Sequence, residues 1–498
     1  MSAAAILASA FERHRTGDLA GALDGYRQAL AVEPDNADAL NLAASATRGL
    51  GDTAEAIALA RRAAAAAPAR ADVRYNLGNA LSAAGDAAGA AEAFRAALEI
   101  APDNADAAAN LGVALARLGD LDGAEAAYGT ALAHAPDHRI AGLNLANLVG
   151  ERGRAEENLR RLRDVVRRHP DLAEGHYNLA LSLLRAGDWI AGFREYEWRW
   201  RTADFSSPVR HGDIPDWDGR PLGGKRLLVH AEQGLGDTLQ FVRLLPLAAS
   251  LGARITLEAP TVLVRLLQGV AGAEVVTDTV ETADFAAQTP LMGLPHRLRL
   301  TPGSILAPAR SLTADAVRVS AWTERLRLDG GDEVVAVAWR GNPASPADRG
   351  RSLASAMELA PLAAPGRRLM AVQKLSRDDL EPAKLPSGWR VAGTGDLVVE
   401  HPGPEFDAGR DAFLDTAAVL ASADRVVTTD TSLAHLAASL GRPTAVLLKA
   451  VADWRWLEGR RDTPWYPTMT LHRQTIAGDF AGPIAEIAAM LGVPRRRG

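Results

Sequence analysis

Small, bulky and turn-forming positions follow one rhythm through the first two hundred residues and another beyond them. In the first stretch alanines stand at Ala22, Ala56, Ala90 and Ala124, and bulky residues at Tyr26, Phe94, Tyr128, Leu162 and Tyr196, all on a 34-residue grid. Gly17, Gly51, Gly85, Gly119, Gly153 and Gly187 keep that spacing, as do Pro34, Pro68, Pro102, Pro136 and Pro170. Such a grid predicts two helices per unit. The glycine ends the first helix, where a left-handed backbone costs little. The alanine lets the two helices approach, the bulky residue fills the gap between neighbouring units, and the proline stops the second helix. Six units are marked, at 3–36, 37–70, 71–104, 105–138, 139–172 and 173 to about 201.

From Lys225 the pattern alternates between strand-length and helix-length segments. Strands are predicted at Leu227–Val229, Arg254–Leu257, Glu274–Val276, Glu333–Trp339, Arg368–Val372, Arg425–Thr428 and Thr444–Leu448. Helices are predicted from Thr238 to about Ser250 and at Thr261–Leu267, Trp322–Leu328, Ala354–Leu362, Ala412–Ala421, Ser432–Leu440 and Ile484–Leu491, with 283–294 left irregular. This alternation predicts parallel sheets with helices on both faces. A Pro- and Arg-containing joint near 301–318 divides it into two Rossmann-like halves, with ligands expected in the cleft at the strand carboxyl ends.

The 34-residue unit is the tetratricopeptide repeat, which predicts an α-solenoid over 1–203. Repeat two departs from the pattern at Ala43-Ala44, and repeat five has Asn158 in place of the small residue. Asn76, Asn79, Asn110, Asn144, Asn147 and Asn178 fall on the first helices of repeats three to six. They form either a ladder that binds a partner's backbone in the groove or a set of ties between neighbouring helices. All ten tryptophans lie at or after Trp189, and only five of the 27 prolines precede 203, so composition changes there. The cluster Tyr196-Glu197-Trp198-Arg199-Trp200-Arg201 closes the solenoid or docks it onto the next domain. Residues 204–224 read as linker, 225–318 as the first α/β half and 319–498 as the second. Asp216-x-Asp218 lies in the linker, where turn capping is the expected role rather than metal binding.

Composition narrows the function classes. The chain has 498 residues and a net charge of −6, which offers no electrostatic reason to expect nucleic acid or an anionic membrane as partner. It has no cysteine, which excludes disulfides, thiolate metal sites and cysteine nucleophiles. The first ten residues do not resemble a signal peptide, and no run of about 18 apolar residues predicts a membrane span. A cytoplasmic location is the expectation.

Three motifs sit at predicted strand ends. Gln233-Gly234-Leu235-Gly236-Asp237 is a turn before a helix, but Leu239 occupies the third glycine position of a dinucleotide loop. Trp339-Arg340-Gly341-Asn342-Pro343 is followed by Arg349 and Arg351-Ser352, and an arginine here can pair with a phosphate. Thr428-Thr429-Asp430-Thr431-Ser432-Leu433-Ala434-His435 places a cap and hydroxyls at a helix start, whose free N–H groups favour an anion.

These motifs, together with Asp453-Trp454-Arg455-Trp456 and Thr463-Pro464-Trp465-Tyr466-Pro467, resemble those of bacterial tetratricopeptide-repeat glycosyltransferases. The catalytic half of that family is similar to the heptosyltransferases, and its architecture resembles the O-linked N-acetylglucosamine transferases. The resemblance covers nearly the whole chain. It implies a GT-B fold, inverting transfer from a nucleotide-sugar co-substrate held by the C-terminal half, no metal or other cofactor, and a protein acceptor held by the repeats. Flagellin is an acceptor of one group in the family. By the same resemblance Asp237 is the general base, with Gln233, Gly234 and Gly236 forming the acceptor-side turn. Arg340, Asn342, Arg351, Gln373, Lys374, Asp430, Thr431, Ser432 and His435 bind the donor. The family often carries a histidine soon after Gly-Asn-Pro, where this chain has Ser345 and Pro346. Whether His230 or Glu232 takes part is left open. Two other readings compete: a glycan or lipopolysaccharide acceptor, and a non-catalytic scaffold with a degenerate nucleotide-sugar module.

Overall fold

The repeat glycines carry the conformation their spacing implied. Gly17, Gly51, Gly85, Gly119, Gly153 and Gly187 have φ between +75° and +90°, a region that L side chains rarely adopt. The next residue starts the second helix of each pair. Asp18, Asp52, Asp86, Asp120 and Asp188 each accept a backbone N–H in its first turn, the usual remedy for orphan donors at a helix start. Repeat five breaks this rule, because Arg154 stands there and supplies no side-chain cap.

The computed structural model describes residues 2–305, 308–328, 330–344, 348–409 and 412–493. Ser345 and Pro346 lie outside the described residues. The chain divides into two compact units, 1–175 and 176–498. The first holds helices from Ala3–Arg15 to Ala155–Arg168, paired as the repeats predict. Its core is made of alanines, leucines and the repeat aromatics. The aromatic packs inside its own repeat: a Cβ added to Gly78 would lie 2.5 Å from the Phe94 ring, and one added to Gly112 the same distance from Tyr128. Neighbouring repeats are tied by amides. Asn76 donates to Asn41 (2.8 Å), and Asn110 donates to Asn79 (3.0 Å) and Tyr75 (3.3 Å). Asn144 bonds Tyr128. Asn147 and Asn178 are half-buried.

The second unit opens in the helix Ala173–Arg185, continues through Trp189–Tyr196, and contains two sheets. The smaller sheet has the order β3-β2-β1-β4, all parallel: β1 is Arg226–His230, β2 Arg254–Glu258, β3 Ala273–Thr277 and β4 Ala287–Pro290. The larger sheet contains β5 (Glu333–Ala338), β6 (Arg367–Ala371), β7 (Leu380–Pro382), β8 (Trp389–Val391), β9 (Val399–Glu400), β10 (Arg425–Thr429), β11 (Thr444–Leu448) and β12 (Met469–Arg473). Its order is β12-β11-β10-β5-β6-β9-β8-β7, parallel except for the small hairpin arm β7–β8 and the β8–β9 pairing. β1, β5, β10 and β11 are buried along nearly their whole length, as strands covered on both faces are. The chain is therefore a helical-repeat solenoid followed by an α/β region with parallel sheets.

Several elements differ from the sequence expectation. β4 lies in the stretch read as irregular, because Gln288, Thr289 and Pro290 give no strand signal. The arm β7–β9 and the edge strand β12 were likewise unpredicted. The helix expected from Thr238 starts earlier and is broken into Leu235–Phe241, a 3-10 turn at Val242–Leu244, and Leu245–Ser250. Ala356–Leu362 is a 3-10 helix, with Pro361 inside it. Among the described residues no helix is long and apolar enough to cross a membrane.

Candidate functional site

The end of β1 and the end of β10 each turn directly into a helix, and the two helix starts meet. After β1, Gln233 adopts φ +60° and Gly234 caps Leu235–Phe241. Asp237, in the first turn of that helix, folds back to accept the Gly234 N–H at 2.9 Å. After β10, Asp430 is buried and Thr431 takes the N-cap position of Ser432–Ser439, but its hydroxyl makes no cap hydrogen bond, unlike the cap the sequence predicts. The helices touch where Gly236 lacks a side chain: a Cβ there would stand 3.4 Å from both His435 Cδ2 and Ser432 Cα. The Gly236 space is thus taken up by the facing helix.

A cavity of about 600 Å³ opens at this junction. It collects Gln233, Gly234, Gly236 and Asp237 from one side and Asp430, Thr431, Ser432 and His435 from the other, with Arg351 and Arg455 between them. Tyr177, Asp204, Phe205 and Ser206 complete the wall. Of the donor residues expected from the sequence, Arg351, Asp430, Thr431, Ser432 and His435 share this cavity; Arg340, Asn342, Gln373 and Lys374 do not line it. Arg340 forms a surface pair with Asp379 at 3.2 Å. Asn342 is exposed and accepts the Ala344 N–H at 3.1 Å. Buried Gln373 accepts the N–H groups of Trp339 (2.9 Å) and Arg340 (3.2 Å), which pins the loop after β5. Lys374 is exposed.

Charge is distributed through arginine-centred pairs. Arg351 donates to Asp430 at 2.9 Å. Burial opposes its charge, but Asp430 and Asp453 outweigh burial and keep the guanidinium ionised. Arg455 donates to Asp237, to Gln240 (2.8 Å) and to Asp453 (2.9 Å). Burial opposes its charge as well, and Asp453 and Asp237 overcome it. The two carboxylates respond differently. Burial would raise Asp453, yet Arg455 and Arg351 hold it at about 2. Asp237 is pushed up by burial, and Arg455 and the Gly234 N–H only partly offset this. His435 is driven well down by burial and by the nearby Arg455 and Arg243, so it is neutral at physiological pH. Its Nδ1 meets the Tyr466 hydroxyl at 2.9 Å, and its ring stacks on Trp456.

Behind the turn lies a buried ionic layer. Arg199 donates to Glu232 (2.9 Å) and Glu197 (2.8 Å), and the Tyr196 hydroxyl bonds the Gln233 amide. The aromatic and basic cluster 196–201 is therefore built into the α/β unit beneath the turn. Burial raises Glu232 to about 7. His230 bonds Gln288 at 2.8 Å, and burial lowers it to about 4. Neither lines the cavity. Asp218 accepts the Arg220 N–H at 3.0 Å as a turn cap, whereas Asp216 accepts from the Gln288 amide and ties the linker to β4.

Arg455 lies inside the Asp453-Trp454-Arg455-Trp456 motif, which by itself assigns it no role. Its signal was an arginine between two tryptophans, a setting that demands carboxylate partners. Asp204, Phe205 and Ser206 had no signal, because nothing local marks a linker residue as a cavity wall.

Comparison with known proteins finds likenesses to both parts of the chain. Residues 408–453, which include the Asp430–His435 turn, match the profile of glycosyltransferase family 9 (heptosyltransferase). Residues 14–71 and 81–149 match tetratricopeptide-repeat profiles. Protein FlbA of Caulobacter vibrioides is 27% identical over 322 residues, which are 60% of this chain and 52% of that protein. The chain thus spans about half the length of that curated relative. Among solved structures, MamA shares 21% identity at a TM-score of 0.31, covering 33% of this chain and 96% of MamA. The type IV pilus biogenesis factor PilW shares 23% at a TM-score of 0.37, covering 40% of this chain and 91% of PilW. The chain thus carries tetratricopeptide repeats and, further on, a segment similar to glycosyltransferase family 9.

Proposed function

We propose that the cavity between the two helix starts transfers a sugar, with inversion, from a nucleotide-sugar to a protein hydroxyl. The observation that carries this reading is the convergence of Asp237 with the Asp430–His435 helix start and two arginines in one cavity. In the proposed step Asp237 accepts the acceptor hydroxyl's proton, and the resulting oxygen attacks the anomeric carbon. The bond from that carbon to the leaving phosphate breaks as the new one forms. The N–H groups at Thr431–Ser432 and the Arg351 and Arg455 cations offset the charge on the departing nucleotide. A raised Asp237 makes a stronger base than an ordinary carboxylate. Arg455 must shift part of its hydrogen bonding from Asp237 towards the phosphate as the donor enters, which frees the base when the leaving group is in place.

In this reading the repeats hold the acceptor in the cytoplasm. Flagellin serine or threonine is the acceptor to test first, since the family resemblance includes flagellin-modifying members. The test pairs ligand binding with turnover. A nucleoside diphosphate should stabilise the native chain in a thermal-shift assay, by about 2.7 kcal/mol at a hundred times its dissociation constant. Asp237→Asn should keep that shift and lose transfer by about 10²–10⁴-fold. Unchanged turnover removes Asp237 as base. No shift with any nucleotide and no sugar turnover leaves the scaffold reading in place.

A further inference from the structure

The first unit contains a second cavity, of about 530 Å³, around the fifth repeat. Leu132 and Val165 give it an apolar part, and Arg139, Arg160, Arg161 and Arg168 line it with the carboxylates Asp137 and Asp164, so arginines outnumber carboxylates four to two. Two of these cations are already engaged: Arg161 pairs with Glu157 at 2.7 Å, and Arg168 with Asp164 at 2.8 Å. Arg139 and Arg160 are exposed and take part in no ion pair among the described residues.

The charge here departs from the rest of the array. Residues 1–138 carry ten arginines and no lysine against eighteen carboxylates, whereas 139–168 carry eight arginines against four. An acidic solenoid therefore bears one basic segment. The repeat pattern departs at the same place and in the same direction: the aspartate that caps the second helix in repeats one to four is Arg154 here. Losing a cap costs about 1 kcal/mol, so the substitution serves poorly as a stability device.

We propose that this cavity captures an acidic segment of a partner protein, a carboxylate beside an apolar side chain. As the recruitment site for the acceptor, it rests on the transferase reading given above. Guanidinium groups pair bidentately with carboxylates, and the two unengaged arginines share the cavity with an apolar part that a bare anion would leave uncovered. The volume lies within the range of specific ligand pockets.

The test uses the full chain and a fluorescein-labelled peptide of alternating glutamate and leucine, with its glutamine counterpart as control. Anisotropy should show binding of the glutamate peptide alone, weakening as salt rises. Arg139→Gln with Arg160→Gln should weaken it at least about tenfold. Arg163→Gln, on the same helix but outside the cavity, should not. Equal binding of both peptides, an undiminished double variant, or full displacement by millimolar inorganic phosphate overturns the proposal. Kinetics with a protein acceptor separates the two readings. A raised KM at constant kcat in the double variant supports recruitment through this cavity. An unchanged KM overturns recruitment and leaves the transferase reading intact. Peptide binding by a native chain that turns over no nucleotide-sugar sinks the transferase reading and leaves the acid-binding cavity.

Discussion

Arg455→Met is the sharpest test of how the site is held together. Methionine keeps the apolar stem of Arg455 but ends short of the guanidinium and carries no charge, so the change leaves Asp237 and Asp453 in place without their shared cation. Their side chains are only 18% and 27% exposed. Removing one partner of a buried pair costs about 3–5 kcal/mol. Partial exposure puts this site at the lower end, about 3 kcal/mol. The titration of Asp453 gives a second estimate. It is held at about 2 against an ordinary 3.8. At about 1.4 kcal/mol per pKa unit, that is worth roughly 2–3 kcal/mol. Because the folded value is depressed, this contribution is present at neutral pH and fades as pH falls from about 4 towards 2. A unit of about 320 residues unfolds with an entropy of about 0.7 kcal/mol/K, so 2–3 kcal/mol lowers its melting temperature by about 3–4 °C. Calorimetry of the full chain at pH 7 reads this directly. Adding Asp237→Asn removes one of the two stranded charges and should recover part of the loss. A variant that melts within a degree of the native chain, or a double variant whose losses simply add, would refute the claim that one arginine neutralises both carboxylates.

Other outcomes follow from the same geometry. Glu232 has a raised folded pKa of about 7, so its contribution to stability is full below about 4.5 and is lost as pH rises through 7; in Glu232→Gln, chemical denaturation should lose this part of its pH dependence. Transfer by the native chain should fall on acidification at a pH above the ordinary 3.8 of an aspartate, because burial raises Asp237, and a pH–rate profile shows the midpoint. Gly112→Ala drives a Cβ to within 2.5 Å of the Tyr128 ring and should lower the melting temperature of the first unit, at a cost of about 1–3 kcal/mol. Gly129→Ala, in a helix with nothing within 4 Å, should instead stabilise by up to about 1 kcal/mol.

The sequence by itself determined the repeats, because each repeat is a local object. A left-handed glycine such as Gly85, a cap such as Asp86 and an aromatic over its own repeat's glycine such as Phe94 lie within a few turns of one another, so periodicity records them. It also marked the two strand-to-helix turns after β1 and β10, whose strand and turn residues are again local signals. Strands with weak patterns escaped it: β4 is buried by its neighbours despite a Gln-Thr-Pro sequence, and the helix predicted at Ala354–Leu362 is a 3-10 segment that contains Pro361. The site needed the tertiary structure. Asp237 and Arg455 are 218 residues apart, and no local pattern could say that they pair, that Gly236 faces Ser432, or that Gln373 braces a loop away from the cavity. Chain spacing encodes neighbours within a helix or turn, whereas a charge's partner across a cleft is selected by burial, once the sheets have brought the two strand ends together.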